Sequence, residues 1–446
     1  MKWNQSDTAG WRQYQQKLQR KTRRRLLHKR LPLLLAVAGT AFALTLFLFF
    51  AGARVYSYWR APRPVTPPVQ SPPKPSAPII SQQDLTAFLT AAAGDLNQLS
   101  DQYAVNRNGA AYTVRTSLDT DLQKYILRLL GRARTLQSAV LVLNPHDGRV
   151  LAMASRDAQG STGNLCLKAN YPAASLFKIV SAAAVLEAAG YYPDKPVSFK
   201  GGKHTLYKYQ LKPSGGKYTS RTKFRNAFAS SNNAVFGKLG IFDLGHNVLA
   251  DYADKFLFNR HIAYDLPVAV SKIEIPTDDF GLAEIASGFN KKTLISPLHA
   301  VLLATVPVNG GNMPAPWLVD TILDKTGTVL YHVGRKTLAS PVSNKTAAQL
   351  KALMNDAVRY GTARKFYRRL RRKKQFTRFS LGAKTGTIND SRDNFKYDWI
   401  TAYALPPRGG DAICVGVLGV HGKILGIRSA EIARAVISYY FAHKKS

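Results

Sequence analysis

The chain is expected to fold as an α+β domain: an antiparallel sheet of about five strands flanked by helices, with a mainly helical insertion, plus one N-terminal transmembrane helix. Three observations carry this expectation. Apolar, β-rich segments occur early, at residues 138–144 and 149–155, and again late, at 379–384, 398–405 and 411–420. The long stretch between them, to about residue 360, is dominated by helical periodicity. Strands from distant parts of a chain, separated by helices, pack best as one sheet with helices on its faces.

The elements follow in order. Residues 1–30 form a basic tail with ten Lys or Arg and one acid, Asp7. Residues 31–53, LPLLLAVAGTAFALTLFLFFAGA, carry no charge, and at about 1.5 Å per helical residue they span roughly 35 Å, enough for a bilayer core. A cleavable signal peptide would have a shorter apolar stretch of about 7–15 residues. Eight basic residues lie within fifteen positions before this segment and three after it, which keeps the N-terminus cytoplasmic and the rest extracytoplasmic, in the periplasm. Residues 54–80 form a stalk: eight of the eighteen residues from 61 to 78 are proline, a composition that favours extended polyproline II. Residues 81–111 are expected to be a short helical connector, with Leu85, Phe88, Leu89, Ala92, Leu96 and Leu99 at helical spacing after Ser81. A single domain is then expected over 112–446. In it, residues 112–117 alternate like a strand, and Leu122, Tyr125, Ile126, Leu129 and Leu130 share a helix face. Strands 138–144 and 149–155 flank a Pro-His-Asp-Gly turn, a helix is expected from Ser175 to Gly190, and another begins at Ser296-Pro297 and stops at Asn309-Gly310-Gly311. Residues 427–443 read as a closing helix.

Charge narrows the partners. The 446 residues carry 63 Lys and Arg against 26 Asp and Glu, a formal +37. Residues 80–446 alone carry 49 basic and 25 acidic groups, so the extracytoplasmic part is +24. Its position outside the cytoplasm excludes nucleic acid, leaving anionic envelope polymers or lipid headgroups. The most concentrated source is RKFYRRLRRKKQFTR, residues 364–378, where Arg364, Lys365, Arg368, Arg369, Arg371, Arg372, Lys373, Lys374 and Arg378 occur without an acid. A solvated loop and an anion clamp are both open readings of it. The two cysteines, Cys166 and Cys414, form one bridge or none, and Cys414, in an apolar run, reads as a buried thiol. The nine histidines show no metal-ligand spacing, so no metal or other cofactor is expected.

Three short strings bear on chemistry: Ser175-Leu-Phe-Lys178, Ser231-Asn-Asn233 and Lys384-Thr-Gly-Thr387. The first two are weak singly. Ser175 and Lys178 are about one helical turn apart, so they share a face and the amine reaches the hydroxyl. A lysine accepts that proton only if its pKa is depressed, by burial and by a second cation such as Lys384. A helix N-terminus beside Ser175 supplies N–H groups and positive potential for an oxyanion. A capping serine followed by a surface lysine is the plain alternative. Lys-Thr-Gly-Thr occurs twice. The copy at 325–328 lies between TILD and VLY and makes a hairpin turn. The copy at 384–387 ends a strand, where Gly386 lets a ligand backbone lie against the edge while Lys384 and the threonine hydroxyls bind a carboxylate.

In this order the three strings resemble the serine penicillin-recognising enzyme superfamily. Residues from about 112 to 440 resemble the transpeptidase domain of penicillin-binding proteins, through TSLDTDLQ (116–123), AVLVLNPHDGRVLAMAS (139–155), YPAASLFKIVSAAAVLE (171–187), SNNAVFGKLG (231–240), LISPLHAVLLATVPVNGG (294–311), GTARK (361–365) and GAKTGT followed by DWITAYAL (398–405). The resemblance implies a membrane-anchored D,D-transpeptidase that crosslinks peptidoglycan stem peptides ending in D-Ala-D-Ala and is acylated by β-lactams. It implies Ser175 as nucleophile, Lys178 as base, Ser231 as proton relay and Asn233 as a bond to the substrate amide. Lys384, Thr385, Gly386 and Thr387 would receive the terminal carboxylate, with the N–H groups of Ser175 and Thr387 as oxyanion hole. Ser231 is preferred to Ser230 because Phe236 and Gly240 then match the family's spacing.

The sequence departs from the family at Ala174 and Leu176, where Gly and Thr usually flank the nucleophile. No glycosyltransferase region precedes the domain, so a monofunctional member with a reduced or missing pedestal is expected. Alternatives on the same fold are a D,D-carboxypeptidase, a β-lactamase, and a non-catalytic β-lactam or cell-wall binder. A lactamase glutamate is not evident, since Glu274 sits in EIPTD rather than Glu-x-x-Leu-Asn.

Overall fold

The computed structural model describes residues 80–443, apart from Ala93, Ser161, Thr162, Ser214, Ser391 and Arg408, together with Thr45, Leu46 and Leu48. The expected basic tail, transmembrane helix and stalk thus lie outside the described residues, save Ile80 and those three. Among the described residues no helix is long and apolar enough to cross a membrane.

The domain opens with α1 (Gln82–Ala92), whose Leu85, Phe88 and Leu89 are buried, and the hairpin β1 (Gln102–Arg107) and β2 (Ala110–Thr116). Residues 81–111 are therefore helical only in part. Strand β1, QYAVNR, buries only Val105, so it carries almost no apolar alternation for a sequence reading to detect. Helix α2 (Thr120–Gly131) is capped by Asp119, which accepts from the Leu122 N–H. Next come β3 (Gln137–Leu143) and β4 (Val150–Asp157), antiparallel and joined through a turn in which Gly148 has φ +79°.

The insertion holds α3 (Lys178–Glu187), α4 (Phe224–Ala229), α5 (Asn233–Leu239), α6 (Gly245–Lys255) and α7 (Asp279–Ser287). After it, α8 (Pro297–Thr305) starts at the Ser296 cap with Pro297 in its first turn. The strands β5 (Val319–Asp324) and β6 (Val329–His332) extend the first hairpin into a second sheet of order β1-β2-β5-β6. Helices α9 (Asn344–Arg359) and α10 (Arg364–Arg372) lead to β7 (Ser380–Asn389), β8 (Lys396–Leu405), β9 (Ile413–His421) and α11 (Ser429–His443).

The main sheet has five strands in the order β7-β8-β9-β3-β4, every pair antiparallel. Early and late strands meet where β9 pairs with β3, Val417 opposite Val140. Both faces are covered, which explains why β3 and β9 read as continuous apolar runs rather than alternating ones. Ala139, Leu141 and Leu143 join the core that contains Leu298, Val301 and Leu302 of α8. Val140 and Val142 join the opposite core, with Leu122 and Ile126 of α2 and Ile432, Val436 and Ile437 of α11. Cys166 and Cys414 are both buried and free.

The basic run is not a loop. Residues 364–372 are helical because Tyr367 and Leu370, one turn apart, are both buried, while the arginines and lysines around them face solvent. The density of charge hides those two anchors from a hydropathy reading.

Candidate active site

Ser175 sits in a short 3-10 turn, Ala174–Phe177, that runs straight into α3. One turn on, Lys178 Nζ lies 2.9 Å from Ser175 Oγ. The same ammonium nitrogen reaches Asn233 Oδ1 at 2.7 Å and makes a short contact with the Ser287 carbonyl. Asn233 opens α5 and is oriented in turn by its Nδ2 donating to the His204 carbonyl, 3.0 Å away.

Lys384 reaches the site from the opposite side. It lies midway along β7, and its Nζ donates to Ser231 Oγ at 2.9 Å and to the Thr385 carbonyl at 2.8 Å. Ser230, by contrast, turns its hydroxyl back to the Asn226 carbonyl. Thr385 Oγ1 is 2.5 Å from Thr362 Oγ1, and Thr387 Oγ1 is 3.4 Å from Asp398 Oδ1 on the neighbouring strand. Gly386 is in the register opposite Trp399, and a Cβ there would stand 3.3 Å from the Ser175 amide nitrogen. Its missing side chain keeps the strand edge and the serine turn close. All of the residues singled out in the three strings therefore converge, and Ser175, Ser231, Asn233, Thr385 and Thr387 line one cavity of about 330 Å³. The other copy, Lys325 to Thr328, is an exposed hairpin turn whose Thr326 and Thr328 N–H groups donate to Asp324, with Gly327 at φ +86°.

Both lysines are fully buried and, among the described residues, donate only to neutral acceptors. Burial, with the charge of Lys384 second, drives Lys178 well below the usual lysine range, and burial alone brings Lys384 down to about 7. A lysine whose proton is held this weakly, beside a serine hydroxyl, can act as a base toward it. His204, also on the cavity wall, is lowered by burial and then by Lys178 and Lys384, so it stays neutral near pH 7.

Two non-glycine residues at the site adopt positive φ: Ala174 at +49° and Ser231 at +56°. For an L-residue this conformation costs about 1–2 kcal/mol, and both flank or carry functional hydroxyls, a placement typical of stored strain. Gly288, at φ +62°, lies so close beneath Ala174 that a Cβ would run into its carbonyl. Close packing thus holds the serine turn in place even though position 174 lacks a glycine.

Sequence reasoning missed a second layer. Asp398 is buried beneath Thr387 and is gripped by Arg428 through two bonds, 2.6 and 3.0 Å, while the Ser429 N–H donates to it at 2.7 Å. Burial opposes its ionisation, but the His421 and Arg428 side chains and the Ser429 N–H hold it well below the usual carboxylate range. Asp398 had a signal, its place in the strand beside Trp399; Arg428 and His204 come from loops with no local pattern. Thr362 lies in the GTARK string without an assigned role.

A family model described as the penicillin binding protein transpeptidase domain matches residues 138–438. The chain is similar to the stage V sporulation protein D of Bacillus subtilis (strain 168), 24% identical over 328 residues, covering 69% of this chain and 48% of that protein. It is also similar to the peptidoglycan D,D-transpeptidase PbpA of Mycobacterium tuberculosis (strain H37Rv), 26% identical over 344 residues, 68% of this chain and 66% of that one. The match thus spans about half to two thirds of these relatives. Among solved structures, the D,D-transpeptidase domain of a peptidoglycan glycosyltransferase from Eggerthella lenta shares the fold, with a TM-score of 0.62 at 22% identity over 74% of this chain and 82% of that one. An imipenem acyl-enzyme complex of penicillin-binding protein A from M. tuberculosis aligns with a TM-score of 0.61 at 25% identity, over 74% and 79% of the two chains.

Proposed function

The chain belongs to the penicillin-binding protein transpeptidase family, and from that premise we propose that it is a peptidoglycan D,D-transpeptidase of the cell envelope, acylated on Ser175 by stem peptides and by β-lactams. The observation that carries this reading is the 2.9 Å approach of a buried, carboxylate-free Lys178 amine to Ser175 Oγ.

The reaction follows from the positions of the groups. Ser175 Oγ attacks the carbonyl carbon of the penultimate D-alanine while its proton passes to Lys178 Nζ. The N–H groups of Ser175 and Thr387 take the developing oxyanion. Collapse breaks the peptide bond; the leaving D-alanine amine receives a proton through Ser231, whose hydroxyl is bonded to Lys384. An ester on Ser175 remains. The amine of a second stem peptide attacks it and gives a proton back to the Ser231–Lys384 relay, while Lys178 returns to Ser175 Oγ the proton it took, releasing Ser175 with a new peptide bond. Lys384, Thr385 and Thr387 receive the terminal carboxylate, and Asn233 meets the peptide amide. Residues 31–53 would anchor the chain in the membrane with the domain outside.

The test is covalent labelling of the full chain in an uncharged detergent with a fluorescent penicillin, read by intact mass. Wild type is expected to gain one stable adduct and Ser175→Ala none. Rapid loss of the adduct with drug turnover would assign the chain to hydrolysis. No adduct on folded wild type would remove the nucleophile assignment. A product assay with a pentapeptide donor and a free amine acceptor then separates transfer from release of D-alanine alone.

A further inference from the structure

A second cavity, of about 410 Å³, lies apart from the Ser175 site at the foot of β7. Its wall includes three arginines from three places in the chain: Arg359 in the last turn of α9, Arg371 in α10 and Arg378 just before β7. No Asp or Glu among the described residues lines it. Among the described residues none of the three meets a carboxylate at ion-pair distance, and the nearby Asp356 is already held by Arg225 at 2.7 Å. Thr377 and Ser380 also line it, their hydroxyls donating to the Lys374 carbonyl and to Asn355 Oδ1, and the buried Phe376 and Leu381 form an apolar floor.

All three arginines stay exposed to solvent while lining one concave site, so they are open to an incoming anion. The geometry points to a phosphoryl-binding site formed by Arg359, Arg371 and Arg378. A carboxylate is satisfied by one planar guanidinium fork, whereas three forks match the several oxygens and greater charge of a phosphoryl group. The cavity has room for the organic part of a phosphate ester as well as for the anion. The ligand would come from a lipid headgroup or from free phosphate; the two share the chemistry that the site reads. Helix α10 joins this cavity to the catalytic one, since Lys365 and Phe366 at its start line the Ser175 cavity. The site makes no use of the Ser175 chemistry and stands or falls separately from it.

Thermal unfolding of the full chain in an uncharged detergent tests the proposal, at constant ionic strength, with inorganic phosphate, with glycerophosphoglycerol as a soluble headgroup, and with acetate. Phosphate is expected to raise the midpoint by on the order of 2 °C near tenfold saturation, with acetate giving no rise. The triple variant Arg359→Gln, Arg371→Gln, Arg378→Gln should lose the rise, and the single variant Arg378→Gln should lose part of it. A charge-matched variant of arginines that do not line the cavity, Arg364→Gln, Arg368→Gln, Arg372→Gln, should keep it. Penicillin labelling of the pocket variants should equal wild type, which shows that they are folded. A larger rise with glycerophosphoglycerol than with phosphate assigns the source to a lipid headgroup, and the reverse to free phosphate. An equal rise with acetate, or equal loss in the pocket and charge-matched variants, would overturn the site and leave only diffuse positive charge.

Discussion

Lys384 shows most directly how a single residue is placed against its own solubility. Its ammonium nitrogen is buried and meets a hydroxyl and a carbonyl but no carboxylate. These two bonds repay only part of the lost hydration of the charge, and so its pKa falls to about 7. A lysine whose folded-state pKa lies below its unfolded value of about 10.4 sheds a proton on folding between those two values. Its burial therefore destabilises fully below the folded pKa and fades as pH rises toward the unfolded one. Lys384→Met is expected to melt a few °C higher than wild type at pH 6, with the difference narrowing steadily toward pH 10. A difference independent of pH would refute the charge argument. The same variant removes the like charge that adds to burial in depressing Lys178, so any acylation that remains should begin at higher pH. The three strings were legible because each is local: a helical turn joins Ser175 to Lys178, and a strand step joins Lys384 to Thr385. The partners of those strings were not, because Thr362 meets Thr385 across 23 positions and Arg428 meets Asp398 across 30, distances that no short pattern encodes.

At the level of elements, the register of β7 on β8 sets the geometry of the edge proposed to receive the substrate carboxylate. Thr387 stands opposite Asp398, and Asp398 in turn receives the first residues of α11, so a strand pair and a helix N-terminus meet at one buried carboxylate. A negative charge under a threonine that is to hold a substrate carboxylate would repel that carboxylate unless neutralised, and the two bonds from Arg428 neutralise it. Arg428→Gln should therefore slow acylation by a carboxylate-bearing penicillin by about tenfold, the loss of a charged hydrogen bond being worth about 1.5–3 kcal/mol. Adding Asp398→Asn to that variant should restore most of the rate, because the uncompensated charge is gone. Stopped-flow labelling measures both; failure of the double variant to recover would show that Arg428 acts by packing alone. Helix α10 illustrates the opposite legibility at this scale. Its sequence announces its charge, but its helical state depends on Tyr367 and Leu370 finding apolar partners elsewhere, and no local signal reports that.

For the whole molecule, the decisive feature is that residues 137–157 and 380–421 build one sheet with a core on each face. The fold class was legible because strands buried on both faces read as unbroken apolar runs, and the flanking helices carry caps and periodicity. The four-stranded sheet was less so, since β1 pairs through backbone bonds while nearly all of its side chains stay in solvent or half-buried. A sheet shared by two cores makes a prediction about cooperativity. Leu302 of α8 packs in one core and Ile432 of α11 in the other, and each is fully buried. Either residue replaced by Ala should lose about 2–5 kcal/mol. Because β3 and β9 contribute side chains to both cores, weakening one must loosen the sheet that supports the other. Leu302→Ala and Ile432→Ala should therefore each lower a single unfolding transition, monitored in urea by both far-ultraviolet circular dichroism and retention of penicillin labelling, with the two probes coincident. If Ile432→Ala instead separated the probes, losing structure while the labelled site on the α8 side survived, the two cores would be independent and the sheet would not couple them.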